Sequence, residues 1–203
     1  MAPIFNPLVE PFLSGIRRRV AELIRDTGCR MALDVCCGTG RQCLLLHSMG
    51  IRAVGVDISP SMLAAGMKEK PPSVHYLLQD ATQLGLARQS FPCVIVSLAL
   101  HEKSAEGREA LLREVLRVLQ PQGYLFLVDF ALPDSVLGRI IRGGILASEF
   151  LMGSEHYKNF RSYTLQGGLP EVIAGLPLKH VSRYSCKKGN VEISVLTPEP
   201  CPH

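Results

Sequence analysis

Four short stretches carry residue types that could do chemistry. Asp34-Val-Cys-Cys-Gly-Thr-Gly40 joins a carboxylate, two thiols and two glycines, while Asp57 and Asp80 each close an apolar run, and His101 and Glu102 follow Ser97-Leu-Ala-Leu100. Gly38 and Gly40 let the backbone approach a ligand closely and take φ values that other residues resist. Asp57, 17 positions after Gly40, is a carboxylate that can accept both hydroxyls of a ribose. Asp80 can pair with an amino-purine edge. An imidazole such as His101, with an ordinary pKa of ~6.5, suits a base, and Glu102 is a second candidate. The plainer readings of His101 are a cap on the helix that starts near Ser104, or a contact to a bound cofactor.

Two common phosphate-binding loops compete for the glycine stretch, and neither fits. Aligned on Gly38, a GxGxxG fingerprint would put its first glycine at Cys36 and its third at Arg41. No Gly-Lys-Ser/Thr follows the strand, so the loop is not a phosphate cradle of the other kind.

The elements that must position these residues follow from hydrophobic spacing. Leu8–Thr27 reads as a helix with a basic outer face, within an N-terminal helical segment of residues 1–27. Met31–Cys36, Arg52–Val56, Val74–Gln79, Cys93–Leu100 and Tyr124–Asp129 read as buried strands, with Pro121-Gln-Gly123 as the turn into the fifth. Arg41–Met49, a segment opened by the N-cap Ser59 and Pro60, and a stretch bearing Leu111, Leu112, Val115, Leu116 and Leu119 read as helices. Ala81–Ser90 reads as a loop. Residues 133–168 form a helical insertion with a break at Gly143-Gly144, a candidate lid, followed by a short helix over Leu169–Leu176. Leu178–Cys186 and Val191–Thr197 flank Lys187-Lys-Gly-Asn190 as a hairpin. The expected fold is α/β: a doubly wound, mostly parallel seven-stranded sheet with a C-terminal antiparallel hairpin.

Composition bounds the rest. At 203 residues, 47% hydrophobic and 20% charged, one globular domain spanning 1–203 is expected, and disorder or a disulfide miniprotein is excluded. Apolar runs fall short of the ~20 residues of a membrane span, and no secretory signal is read at the start, so a cytoplasmic protein is expected. Seven cysteines, odd in number and without a CxxC pair, fit neither a disulfide framework nor a zinc module, so no metal is expected. A net charge of +4 does not imply nucleic acid, and the basic clusters lack interleaved aromatics.

Leu33-Asp-Val-Cys-Cys-Gly-Thr-Gly40, Val56-Asp-Ile-Ser-Pro-Ser-Met62 and Gln79-Asp-Ala81 resemble the successive motifs of the class I S-adenosylmethionine-dependent methyltransferases. The closest flavour is the ubiquinone/menaquinone-biosynthesis type of small-molecule enzyme, with a Rossmann-like fold. The likeness is good over about residues 28 to 130 and departs at Cys36, where many members have the first motif glycine. It implies S-adenosyl-L-methionine as cofactor and S-adenosyl-L-homocysteine as product. Asp34 and the loop of Cys36, Cys37, Gly38, Thr39 and Gly40 would then border the methionine part. Asp57 would hold the ribose, Ile58 and Met62 would flank the adenine, Asp80 and the Ala81 amide would meet its edge, and Leu98 would line the cofactor near the transferred methyl.

The acceptor is expected to be a small, partly apolar molecule such as a quinone, with no nucleic acid partner. The fourth strand's end lacks the Asn/Asp-Pro-Pro-aromatic motif of amino-directed nucleic-acid enzymes of this fold. The insertion would offer His156, Tyr157, Asn159 and Arg161 to the acceptor if it roofs the pocket, and nothing if it is a plain surface helix. Two other functions stay open at this point: a non-catalytic S-adenosylmethionine-binding regulatory module, and a dinucleotide-dependent oxidoreductase, which Arg41 disfavours.

Overall fold

A computed structural model describes residues 2–68, 71–151 and 153–199 of the protein. The chain alternates α1 (Ala2–Asp26), β1 (Met31–Val35), α2 (Arg41–Ser48), β2 (Arg52–Asp57), α3 (Pro60–Met67), β3 (Val74–Leu78), β4 (Phe91–Ser97), α4 (Ala105–Val118) and β5 (Leu119–Phe130). It continues through α5 (Val136–Leu151), α6 (Ser154–Leu165) and α7 (Leu169–Ala174) to the hairpin β6 (Leu178–Cys186) and β7 (Val191–Pro198). The seven strands lie in the order β3-β2-β1-β4-β5-β7-β6, with β7 antiparallel to both neighbours and the rest parallel. The expected doubly wound sheet and its closing hairpin are therefore present.

Burial follows from this order. β1 and β4 are central, so Leu33, Val35, Val94, Ile95 and Val96 are all fully buried, as a parallel strand covered on both faces requires. Leu13, Ile16, Val20 and Ile24 seat α1 on that core, next to α2 and α3. Two serine caps set the helix starts: Ser59 Oγ accepts from the Met62 amide at 3.4 Å, and Ser104 Oγ from the Gly107 amide at 3.1 Å.

Three local expectations are corrected. β4 ends at Ser97 rather than Leu100, because Leu98 turns the chain out of the sheet with φ 52°. Pro121-Gln-Gly123 is not a turn before the strand but lies within β5, where the register with β4 jumps from Phe91–Leu119 to Cys93–Tyr124 and absorbs the extra residues as a bulge. A side chain at 123 would come within 2.9 Å of the Pro92 carbonyl, so the bulge needs glycine there. Gly143-Gly144 does not break α5. Two glycines cost about 1 kcal/mol each in a helix, and Ile145 and Leu146 just beyond them pack on the core.

Candidate active site

The glycine loop, the ends of β2 and β3 and the end of β4 lie at the carboxyl edge of the sheet, where open α/β folds bind ligands. The loop is tied to the end of β2 by one short contact: the Gly38 amide donates to Asp57 Oδ2 at 2.7 Å. The other carboxylate oxygen accepts from the Ser59 amide at 2.9 Å, so Asp57 is aimed by backbone on both sides. Gly40 is left-handed at φ 71° and starts α2; any Cβ there would sit 2.0 Å from the Tyr76 hydroxyl, which donates to the Gly40 carbonyl. At Gly38, φ is 56° but a Cβ would meet nothing within 4 Å. Gly38 is needed for its conformation, Gly40 for its conformation and its emptiness.

Cys36, where the resemblance departs, holds φ 60°, the left-handed region that glycine occupies without steric cost. The loop keeps the glycine-like shape on a cysteine backbone. Burial pushes the Cys36 thiol up to about 12, and its hydrogen bond with Cys37 together with burial holds Cys43 well above the ordinary range. These are protonated packing thiols rather than nucleophiles. Beneath them Asp34 is buried, with the Cys43 thiol 3.5 Å from Oδ2. Burial raises the Asp34 carboxyl to about 7, against the pull of that thiol and of Arg17.

At the next strand end Asp80 is exposed and accepts from the Thr82 amide and hydroxyl, both at 2.8 Å, which hold its carboxyl low. Ala81 is buried beside it, Ile58 is 65% exposed next to Asp57, and Met62 is half-buried on the first turn of α3. These groups fit an adenosyl ligand. A backbone-aimed carboxylate suits vicinal hydroxyls, an exposed aliphatic beside it suits an aromatic face, and the shape of the loop excludes side chains from one wall.

The second half of the site surrounds His101. It is 4% exposed, and its Nδ1 lies 2.7 Å from Asp129 Oδ1 at the end of β5. Asp129, fully buried, also accepts from the Leu100 and Phe130 amides at 2.9 and 2.8 Å, so it pins the whole segment that leaves β4. Burial disfavours the imidazolium, but Asp129 and the nearby Glu102 and Glu149 outweigh it and raise the His101 pKa. His101 caps no helix; Ser104 does that alone. The rings of Phe130, Phe160 and Tyr163 meet the imidazole in edge contacts at 4.8, 5.7 and 6.4 Å.

Helices α5 and α6 pack together and reach this cluster from the insertion. His156 Nε2 hydrogen-bonds Glu149 Oε2, which also faces His101 Nε2 at 4.0 Å. Asn159 donates to the Glu102 carbonyl at 2.8 Å, tying α6 to the residues after β4. Of the four insertion residues singled out in the sequence, His156 and Asn159 reach the site. Tyr157 packs instead on Phe150, with ring centroids 5.5 Å apart, and Arg161 is exposed on the outer side. Glu102 is exposed beside His101.

Two participants were missed. Asp129 ends the apolar run Leu125-Phe-Leu-Val128, and Glu149 stands in the apolar face of α5; a lone carboxylate in an apolar element was the available signal for both.

A seven-stranded sheet of this order, with a glycine loop after its first strand and acidic ends on the next two, defines the class I S-adenosylmethionine-dependent methyltransferases. The sheet order and edge motifs of this chain are similar to those of that family. Residues 32–123 match the methyltransferase domain family. The chain is 33% identical over 121 residues to the demethylmenaquinone methyltransferase of Mycobacterium tuberculosis, covering 60% of this chain and 50% of that protein. It thus spans about half the length of the curated relatives it matches.

Two solved structures share the fold. The PH0226 protein from Pyrococcus horikoshii superposes with a TM-score of 0.70 at 21% identity, over 93% of this chain and 91% of that one. Magnesium protoporphyrin IX methyltransferase from Synechocystis, with bound S-adenosylhomocysteine, gives 0.67 at 18% identity, over 91% and 83%. No helix among the described residues is long and apolar enough to cross a membrane.

Proposed function

We propose that the protein transfers the methyl group of S-adenosylmethionine to a small, partly apolar acceptor. The observation that carries the reading is the closure of the glycine loop on Asp57 through the Gly38 amide, at the sheet edge where the family motifs fall. Asp57 holds the ribose hydroxyls, with Ile58 and Met62 on the adenine and Asp80 and the Ala81 amide at its edge. Asp34 and Cys36, Cys37, Gly38, Thr39 and Gly40 border the methionine part, and Leu98, half-buried at φ 52° just past the end of β4, lines the cofactor near the transferred methyl.

The bound cofactor supplies a methyl group already activated on a sulfonium. The chain's own work is then alignment, exclusion of water and disposal of the acceptor's proton. Asp129 orients His101 so that its Nδ1 carries the proton and Nε2 is the accepting atom, which faces the roof made by α5 and α6. Glu102 is the second candidate for that proton. The roof acts as a lid over the acceptor, with His156 and Asn159 tying it down. A quinone-like acceptor is supported by the three aromatic rings around His101 and by the likeness to demethylmenaquinone methyltransferase.

Calorimetric titration with S-adenosylmethionine and S-adenosylhomocysteine tests the reading. Micromolar binding by the intact protein, lost in Asp57→Ala, is expected; no binding by the intact protein overturns it.

A further inference from the structure

Three side chains from three elements converge under the roof. His101 Nε2, a Glu149 carboxylate oxygen and a ring nitrogen of His156 all lie within 4.8 Å of one another, the one such grouping of potential metal ligands among the described residues. His101 comes from the segment after β4, Glu149 from the last turns of α5 and His156 from the first turn of α6. The two imidazoles stand edge to face, 5.7 Å apart at 89°, with Glu149 bonded to one and 4.0 Å from the other. Glu149 and His101 are buried, and Phe130 and Phe160 flank the group.

From this convergence we infer a binding site for a divalent transition-metal ion of the zinc class, formed by His101, Glu149 and His156. Two imidazole nitrogens and one carboxylate are the donor set that zinc takes in open sites, and it is too rich in nitrogen for magnesium or calcium. The environment is arranged as metal-binding histidines require. Asp129 takes the Nδ1 side of His101 at 2.7 Å and is itself held by two backbone amides, which turns the Nε2 lone pair toward Glu149 and His156.

Distances agree with a modest adjustment. Ligands ~2.1 Å from a tetrahedral ion stand ~3.4 Å apart. The 4.0 Å between His101 and Glu149 has to close by roughly half an ångström, the hydrogen-bonded Glu149–His156 pair has to open, and His101 and His156, up to 4.8 Å apart, have to close by up to about 1.4 Å. The ion would join α5 and α6 to the end of β4, and its fourth position would be open to water or an acceptor oxygen. Ligation and proton acceptance use the same lone pair of His101, so the ion is an alternative occupant of that atom. The inference therefore does not depend on the proposed proton transfer or on cofactor binding.

The experiment is titration of chelator-treated protein with Co²⁺, followed by displacement with Zn²⁺. Expected is one equivalent of Co²⁺ with the intense visible absorption of a low-coordinate site, displaced by Zn²⁺ and accompanied by a rise in Tm. His156→Ala and Glu149→Gln should each weaken binding about tenfold or more, and Asp129→Asn, which touches no ion, should weaken it by about 10–100-fold. Circular dichroism identifies any variant that fails to fold, and His156→Asn then replaces His156→Ala. Absence of saturable binding overturns the inference. So does full binding by the folded variants, or a thiolate-to-cobalt charge-transfer band, which would put the ion on cysteines. Titration of the ion-free protein with S-adenosylmethionine is run in parallel, so failure of one reading does not count against the other.

Discussion

The two halves of the site are built on opposite principles. The cradle formed by the glycine loop, Asp57 and Asp80 is made mostly of backbone: amides aim its carboxylates, and the absence of side chains shapes its wall. The cluster under the roof is made of side chains, His101, Asp129, Glu149 and His156, brought from the segment after β4, from β5, α5 and α6. A backbone cradle tolerates different side chains wherever the local φ can be held, as Cys36 at φ 60° shows. A side-chain cluster has no such latitude, because each member satisfies a buried partner.

Substitutions should separate the halves. The largest effect on cofactor binding is expected from Gly40→Ala, whose Cβ would overlap the Tyr76 hydroxyl: S-adenosylmethionine binding should fall by more than about 100-fold in calorimetry, roughly 3 kcal/mol, while Co²⁺ binding persists. Gly38→Ala, at a similar φ but in open space, should cost only about 1–2 kcal/mol of stability. Equal losses from both would mean that conformation alone, and not contact with Tyr76, decides the loop.

On the other side, Asp129→Ala leaves the His101 ring and the Leu100 and Phe130 amides without their acceptor. A loss of roughly 3–5 kcal/mol in denaturant unfolding is expected, with cofactor affinity changed far less. Parallel loss of both would show that the halves are one cooperative unit.

Asp34 gives a pH signature of the cradle. Its carboxyl titrates at about 7 when folded against an ordinary 3.8, so the folded state binds the proton more tightly. The stability this contributes is full below 3.8 and is lost as the pH rises through about 7. Roughly 2–3 kcal/mol should disappear between about pH 5 and pH 8, and Asp34→Asn should flatten that slope. Because the ionised carboxylate attracts a cationic ligand, S-adenosylmethionine affinity should also rise with pH through about 7, with proton release detectable in buffers of different ionisation enthalpy. The smallest effect is Cys36→Gly: relief of a left-handed cysteine should raise stability by about 1 kcal/mol, read as a shift in the urea midpoint.

The cradle was largely legible in the sequence because its determinants are local. Gly38, Gly40, Asp57 and the Ser59 cap each act within a few residues of a strand end, and parallel strands place such ends side by side. The roof was legible only as a polar stretch. Glu149 lies seven residues before His156 and 48 after His101, and no short-range rule connects those separations. The bulge at Pro121–Gly123 and the unbroken α5 escaped for a related reason: glycine and proline set local preferences of about 1 to 3 kcal/mol, and packing overrides them.

The sequence by itself determined the alternation of elements, the parallel sheet with its hairpin, and a glycine-and-aspartate edge suited to an adenosyl ligand, because periodicity and loop chemistry are properties of neighbours along the chain. Tertiary structure alone decided that Asp129 orients His101, that Glu149 and His156 meet it, and that Tyr157 and Arg161 turn away. Those relations depend on which faces β4, β5, α5 and α6 turn toward one another, and packing of the core across the sheet sets those faces.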